Sequence, residues 1–171
     1  MIKKVLVTNG LPRSGKDTFA AFVSAYIPTI KYSCVDEIKK IAKFTGWDGE
    51  KNPTSRRYLA ELKRLTTEFN DFPFECLRRK YNEFMIDISH SVLIFDIREP
   101  AEIERAVKEF DAKTVLIVNK RCETEQSNYA DEHVMDMYYD YVLYNNGTLL
   151  EFQKETYNFI QANILSGFDK N

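Results

Sequence analysis

The stretch Gly10-Leu11-Pro12-Arg13-Ser14-Gly15-Lys16-Asp17-Thr18 constrains this chain more than any other. It fits G-x-x-x-x-G-K followed by Asp and Thr. It comes straight after the apolar run Val5-Leu6-Val7, and after it Phe19, Phe22, Val23 and Tyr26 recur at i, i+3, i+4 and i+7. Strand, glycine loop and helix in that order are the context a phosphate-binding loop requires. Glycines let successive backbone N–H groups converge on phosphate oxygens. The helix N-terminus behind them adds partial positive charge. Lys16 supplies a point charge for β- and γ-phosphates, Arg13 is a second cation for a transferring phosphoryl group, and Thr18 is a hydroxyl within reach of an α-phosphate.

Asp17 stands where Ser or Thr normally touches Mg²⁺. A carboxylate beside a triphosphate is repulsive unless a cation separates them, so one reading of Asp17 is a metal contact, direct or through water. The other is that it caps the helix or pairs with a neighbour.

Further along, alternating apolar strands and amphipathic helices predict a doubly wound, parallel α/β sheet. Strands are expected at Lys3–Thr8, Thr29–Ser33, Ser91–Asp96, Lys113–Asn119 and Tyr141–Asn145. Helices are expected over Glu37–Phe44, from a cap at Thr54 or Ser55 to a break at Asn70–Pro73, from after that break to about Ser89, from Pro100 to Phe110, and from Leu149 to Ile164. The second of these carries the apolar stripe Tyr58, Leu59, Leu62, Leu65, Thr66 and Phe69. Ligands in such sheets sit at the C-terminal ends of the strands. The glycine loop, Asp96 and the segment after Asn119 all end there.

Asp96 closes the strand Val92-Leu93-Ile94-Phe95 as a Mg²⁺-orienting carboxylate would. Two residues on, Arg98 is placed either to grip a substrate phosphate through two parallel hydrogen bonds or to make a local salt bridge. Among the cations between the second and third strands, Arg56 and Arg57 are the first expected to face an anionic substrate. Arg78 and Arg79 read as a solvated face. Lys120 to Asp140 is polar and acidic and has the length of a small lid, served by Lys120 and Arg121. Arg121 could meet a phosphate, stack on a base or simply close off a strand end. Asp131, Glu132 and His133 read as helix caps before metal ligands. His90 and His133 lack zinc or nucleophile spacing. Tyr32, Tyr138 and Tyr139 read as packing.

The 171 residues suit one domain, and 44% apolar with 29% charged residues is ordinary for a soluble globular protein. A net charge of −2 offers no electrostatic case for nucleic acid or an anionic membrane. Cys34, Cys76 and Cys122 lack paired spacing and read as reduced thiols of a cytoplasmic protein. The opening apolar run is too short for a signal peptide, and no stretch approaches a membrane span.

Gly10 to Thr18, Asp96-Ile97-Arg98, Arg121, Asp140 to Leu143 and Asn145-Asn146-Gly147 occur in an order that resembles the phage-type deoxynucleoside monophosphate kinases, with their R-S-G-K-D-T loop and D-x-R strand end. Animal-type phosphomevalonate kinases share the G-K-D and D-x-R pattern. Dephospho-coenzyme A kinases and adenylate kinases are more distant relatives of the same fold. The resemblance implies a P-loop NTPase three-layer sandwich: a five-stranded parallel sheet with helices on both faces. The core would span 1–33 and 91–171, an acceptor-binding helical insertion about 34–90, and a lid about 120–138. It implies ATP with Mg²⁺ as donor and a small phosphorylated acceptor, in a monomer or homodimer. Gly10 to Thr18 would bind the ATP phosphates, Asp17 and Asp96 would serve the metal, and Arg98 with Arg57 would hold the acceptor. Asn145, Asn146 and Gly147 match the segment that runs past adenine. The chain is shorter than the phage kinases, mostly in the insertion, and its lid has fewer arginines than that of adenylate kinases.

Overall fold

A computed structural model describes residues 3–50, 52–122, 134 and 137–167. Strands β1 (Lys4–Asn9), β2 (Thr29–Tyr32), β3 (Val92–Asp96), β4 (Lys113–Val118) and β5 (Tyr141–Tyr144) form a parallel five-stranded sheet in the order β2-β3-β1-β4-β5. Around it lie α1 (Lys16–Tyr26), α2 (Cys34–Phe44), α3 (Pro53–Asn70), α4 (Phe72–Ile86), α5 (Pro100–Phe110) and α6 (Leu149–Phe159). The last helix continues as a π turn over Ile160–Ile164.

Strand alternation divides the core between two faces. Leu6, Val92, Ile94, Val115 and Ile117 pack with Phe19 and Val23 of α1 and Phe152 and Phe159 of α6. Val5, Val7, Leu93 and Phe95 pack on the other face with Phe74, Leu77 and Phe84 of α4 and Ile103 and Phe110 of α5. A smaller cluster, Leu11, Leu116, Cys122, Val134 and Tyr139, sits under the loop that follows β1. Each fully buried side chain of this kind contributes ~1.5–3 kcal/mol, so both faces must be covered for the sheet to persist. That gives the three expected layers.

The local departures have local causes. Helix α3 begins earlier than expected, its cap lying two to three residues upstream. Asn52, not Thr54 or Ser55, is the cap: its side chain accepts from Ser55 N–H at 2.8 Å, and Pro53 fills the first helical position, where its missing N–H is harmless. Helix α4 stops at Ile86, short of Ser89. Asp87 is extended there, and its carboxylate accepts from Ser89 N–H at 2.6 Å, a side-chain turn that competes with the helix. The expected apolar stripe of α3 buries no residue at all. This helix forms the outer layer against α2 and α4, and Leu65 and Phe69 stay exposed. Tyr138 is 88% exposed and so is not packing, whereas Tyr139 is buried. No helix among the described residues is long and apolar enough to cross a membrane.

Candidate active site

The register of the sheet builds the site. Thr8 of β1 lies beside Asp96 of β3, so the loop leaving β1 and the carboxylate ending β3 emerge side by side at one edge. Helix α1, which follows β1, packs on one face, and α5, which follows β3, packs on the other. The chain therefore diverges between these two strands, which opens a crevice at their C-terminal ends.

The loop is held in a tight left-handed path. Arg13 (φ 64) and Gly15 (φ 110) are both left-handed, and Gly15 is the N-cap of α1. Alternating hands of this kind turn successive N–H groups to one side, the geometry of an anion-binding concavity. Gly10 and Gly15 cannot be replaced quietly. A Cβ on Gly10 would lie 2.5 Å from the Ile117 carbonyl oxygen, and one on Gly15 would lie 2.5 Å from Asn145 Nδ2. Lys16 is 6% exposed, and its ammonium donates to the carbonyls of Gly10 (2.6 Å) and Leu11 (3.0 Å). The cation thus spans the mouth of the loop. Polyphosphate oxygens would take the place of those two carbonyls.

Neighbouring elements brace this loop. Asn9 Oδ1 accepts from Gly10 N–H at 2.8 Å, and Asn9 Nδ2 donates to the Tyr139 hydroxyl at 2.9 Å. That hydroxyl donates in turn to the Val134 carbonyl at 2.8 Å. Burial pushes the Tyr139 phenol up to about 12, so it stays a donor at all working pH values. From the other side, Asn145 Nδ2 donates to the Ser14 carbonyl at 2.9 Å, and Asn146 Oδ1 accepts from Lys120 N–H at 2.9 Å. Gly147 leaves room for the Glu151 carboxylate, which closes a capping box with Thr148 at the start of α6. Asn145 to Gly147 therefore tie the end of β5 to the loop and to α6.

Two buried polar atoms at this edge, Ser14 Oγ and Asp96 Oδ1, have no hydrogen-bond partner among the described residues. A buried hydroxyl and a buried carboxylate oxygen left unpaired are costly, on the order of 1–3 kcal/mol each, unless a bound group completes them. A divalent cation with phosphate oxygens and waters fits that need, since Mg²⁺ takes one or two carboxylates and fills its octahedron from substrate and water. Asp17 is placed differently. It forms an ion pair with Lys31 of β2, which holds its carboxyl below the usual range, and its side chain is 89% exposed. Direct ligation by Asp17 would have to break that pair, whereas contact through water would not. No cluster of three or more His, Cys, Asp or Glu side chains poised for a metal occurs among the described residues.

Of the other expected site residues, Arg98 is half-buried just past Asp96 and Thr18 is half-buried on α1. Arg121 is exposed in a 3₁₀ turn over Lys120–Cys122, where its N–H donates to Asn119 Oδ1. Arg56 and Arg57 are exposed on α3. Arg78 is tied to Glu75 and Glu109, as a solvated ion pair would be. Asp131, Glu132 and His133 lie outside the described residues, as does most of the lid segment. Asn9, Tyr139 and Ser33, whose hydroxyl donates to the Asp96 carbonyl at 3.1 Å, escaped the motif reading. For Asn9 a signal existed: a polar residue at the end of an apolar strand needs an internal partner. Two open clefts, one between β5 and α6 and one on α4, lie away from this edge.

No family model matches the sequence, and no curated relative matches it. Solved structures do match. TT1252 from Thermus thermophilus aligns with a TM-score of 0.58 at 19% identity, over 96% of this chain and 99% of that one. Shikimate kinase from Aquifex aeolicus aligns with a TM-score of 0.53 at 18% identity, over 95% and 99%. Likeness at such identity is likeness of fold, and it extends over nearly the whole length of each chain. With its loop, sheet order and crossing helices in place, this chain has the fold of the P-loop kinases.

Proposed function

We propose that the chain is an ATP- and Mg²⁺-dependent phosphotransferase whose acceptor is a small phosphorylated molecule, a (deoxy)nucleoside monophosphate in the first instance. One observation carries the reading. A G-x-x-x-x-G-K loop with left-handed Arg13 and Gly15 and a buried Lys16 stands next to Asp96, whose inner oxygen lacks a partner among the described residues. The matching D-x-R strand end and G-K-D-T loop favour the phage-type nucleotide kinases within this fold.

In-line phosphoryl transfer needs positioning and charge neutralisation more than covalent chemistry. The loop N–H groups and Lys16 would hold the donor's phosphates, and Arg13 would neutralise charge on the transferring group. Asp96 would hold Mg²⁺, with Asp17 reaching it through water; the ion, when bound, supplies electrostatic stabilisation of phosphate oxygens. Arg98, Arg57 and Arg56 would orient the acceptor, and Arg121 would approach from the lid side. No general base is required, because an acceptor phosphate oxygen is already ionised.

The test is coupled ADP release with the four deoxynucleoside monophosphates, phosphomevalonate and shikimate as acceptors. Stimulation by a nucleoside monophosphate that disappears in Lys16→Ala supports the reading. Stimulation by phosphomevalonate alone would move the acceptor outside the nucleotides. Tight ATP binding with no acceptor-stimulated release would make the chain a nucleotide-binding module and defeat the enzymatic reading.

A further inference from the structure

The cations of the helical layer do not share one environment. Arg64 is bound to Glu61 and Glu68 of its own helix, and Lys80 to Glu83. Arg56 and Arg57 project from the first turns of α3 and have no ion-pair partner among the described residues. Lys63 is turned the other way. Its ammonium donates to Glu102 Oε2 at 2.9 Å, and the two side chains are only 20% and 13% exposed. Glu102 lies in the first turn of α5, which starts four residues after Asp96. The Cys34 thiol, at the start of α2 just beyond β2, faces the same carboxylate at 4.0 Å. Burial, and next the Glu102 carboxylate, push that thiol up to about 12, so it is neutral and adds no charge. Asp96 and Glu99 also act on this cluster electrostatically. Lys63 is thus held where α2 and α5 begin, the two helices that follow the C-terminal ends of β2 and β3.

We propose that Lys63 is a further acceptor-binding cation of the helical layer beside Arg56 and Arg57, resting on Glu102 and exchanging that carboxylate for the anionic group of the acceptor. The assignment builds on the phosphotransferase reading. The chemistry suits a phosphomonoester. A dianion competes with one carboxylate for the ammonium, and Glu102 left behind repels acceptors that do not bring a cation or a hydrogen-bond donor of their own. Burial is the largest single influence on the Lys63 pKa and lowers it, but the charge and hydrogen bond of Glu102 together with its other neighbours outweigh burial and the net displacement is upward, so the ammonium is charged throughout the neutral range.

The experiment compares Lys63→Met, Lys63→Arg and Glu102→Gln in coupled ADP release, each against the four deoxynucleoside monophosphates. Lys63→Met is expected to raise the acceptor KM about 10–100-fold, the worth of one charged hydrogen bond, while the ATP KM moves less than about threefold. Lys63→Arg should retain most of the affinity. Glu102→Gln breaks the same ion pair but spares the ammonium, and it should lower the acceptor KM. If Lys63→Met leaves the acceptor KM unchanged, or if Lys63→Met and Glu102→Gln raise it alike, the pair is only a strut between α3 and α5 and the assignment falls. Glu102→Gln keeps the comparison decisive should Lys63→Met fold poorly. Absence of turnover in the wild type would overturn the phosphotransferase reading itself, a result distinct from normal turnover that is indifferent to Lys63.

Discussion

The loop edge and the helical layer of this molecule handle charge in opposite ways. At the loop, charge is managed by backbone: left-handed residues, a helix N-terminus and a lysine gripped by two carbonyls. Two side-chain braces of that loop come from strand ends, Asn9 of β1 on one side and Asn145, the residue after β5, on the other. On α3 the charges are carried by long side chains, no residue is buried, and most ion pairs close within the helix or to a surface neighbour. A backbone site tolerates almost no substitution, because the atoms that bind are also those that fold. A side-chain site can be rewritten without disturbing the core, which is what acceptor choice demands of a shared fold.

The largest effect that would test this contrast is at Lys16. Lys16→Ala should lower kcat/KM by at least about 10²–10³-fold in coupled ADP release, because on the proposed reading it removes the charge that stabilises the transferring phosphate. A loss below tenfold would mean that backbone alone carries the loop. Next comes Gly10→Ala. Its Cβ would meet the Ile117 carbonyl at 2.5 Å, with φ at +147°, so a loss of about 2–4 kcal/mol in urea unfolding is expected. A milder cost would show the loop to be more pliable than the contrast requires.

A smaller effect is expected at Asp140, which anchors the start of β5. Its carboxylate accepts from the Thr114 N–H at 2.8 Å and hydroxyl at 2.9 Å, with Lys113 at 3.6 Å. Burial alone would raise its pKa, but these donors outweigh burial and the net direction is down. A lowered carboxyl pKa stabilises the fold above the unfolded value and ceases to do so as pH falls through the folded one. Asp140→Asn should therefore cost about 1 kcal/mol at neutral pH, and the gap to wild type should close as pH is taken below the ordinary value of 3.8. The smallest effect belongs to the helical layer. Arg56→Ala and Arg57→Ala should shift stability by no more than about 0.5 kcal/mol, since both are exposed and unpaired among the described residues. Any change they cause in acceptor KM would then report binding and not folding.

The order of strands and helices, the P-loop and the carboxylate at the end of β3 were all legible from residues, because each depends on neighbours in sequence: a period of two or of three to four, a glycine pair at fixed spacing, an apolar run ending in Asp. Helix ends drifted by one to three residues where side chains such as Asn52 and Asp87 competed for the same N–H groups. The stripe on α3 misled because periodicity reports which face is apolar and is silent on whether anything covers it.

Local pattern, then, determined that this chain has a parallel sheet with a G-x-x-x-x-G-K turn after its first strand. Folding alone decided which charges meet: that Asp17 turns to Lys31, that Tyr139 reaches Asn9 across 130 residues, and that Lys63 rather than Arg57 leans on Glu102 beside Asp96. Those pairings join residues far apart in the chain. They are set by sheet order and helix packing, which no local spacing encodes.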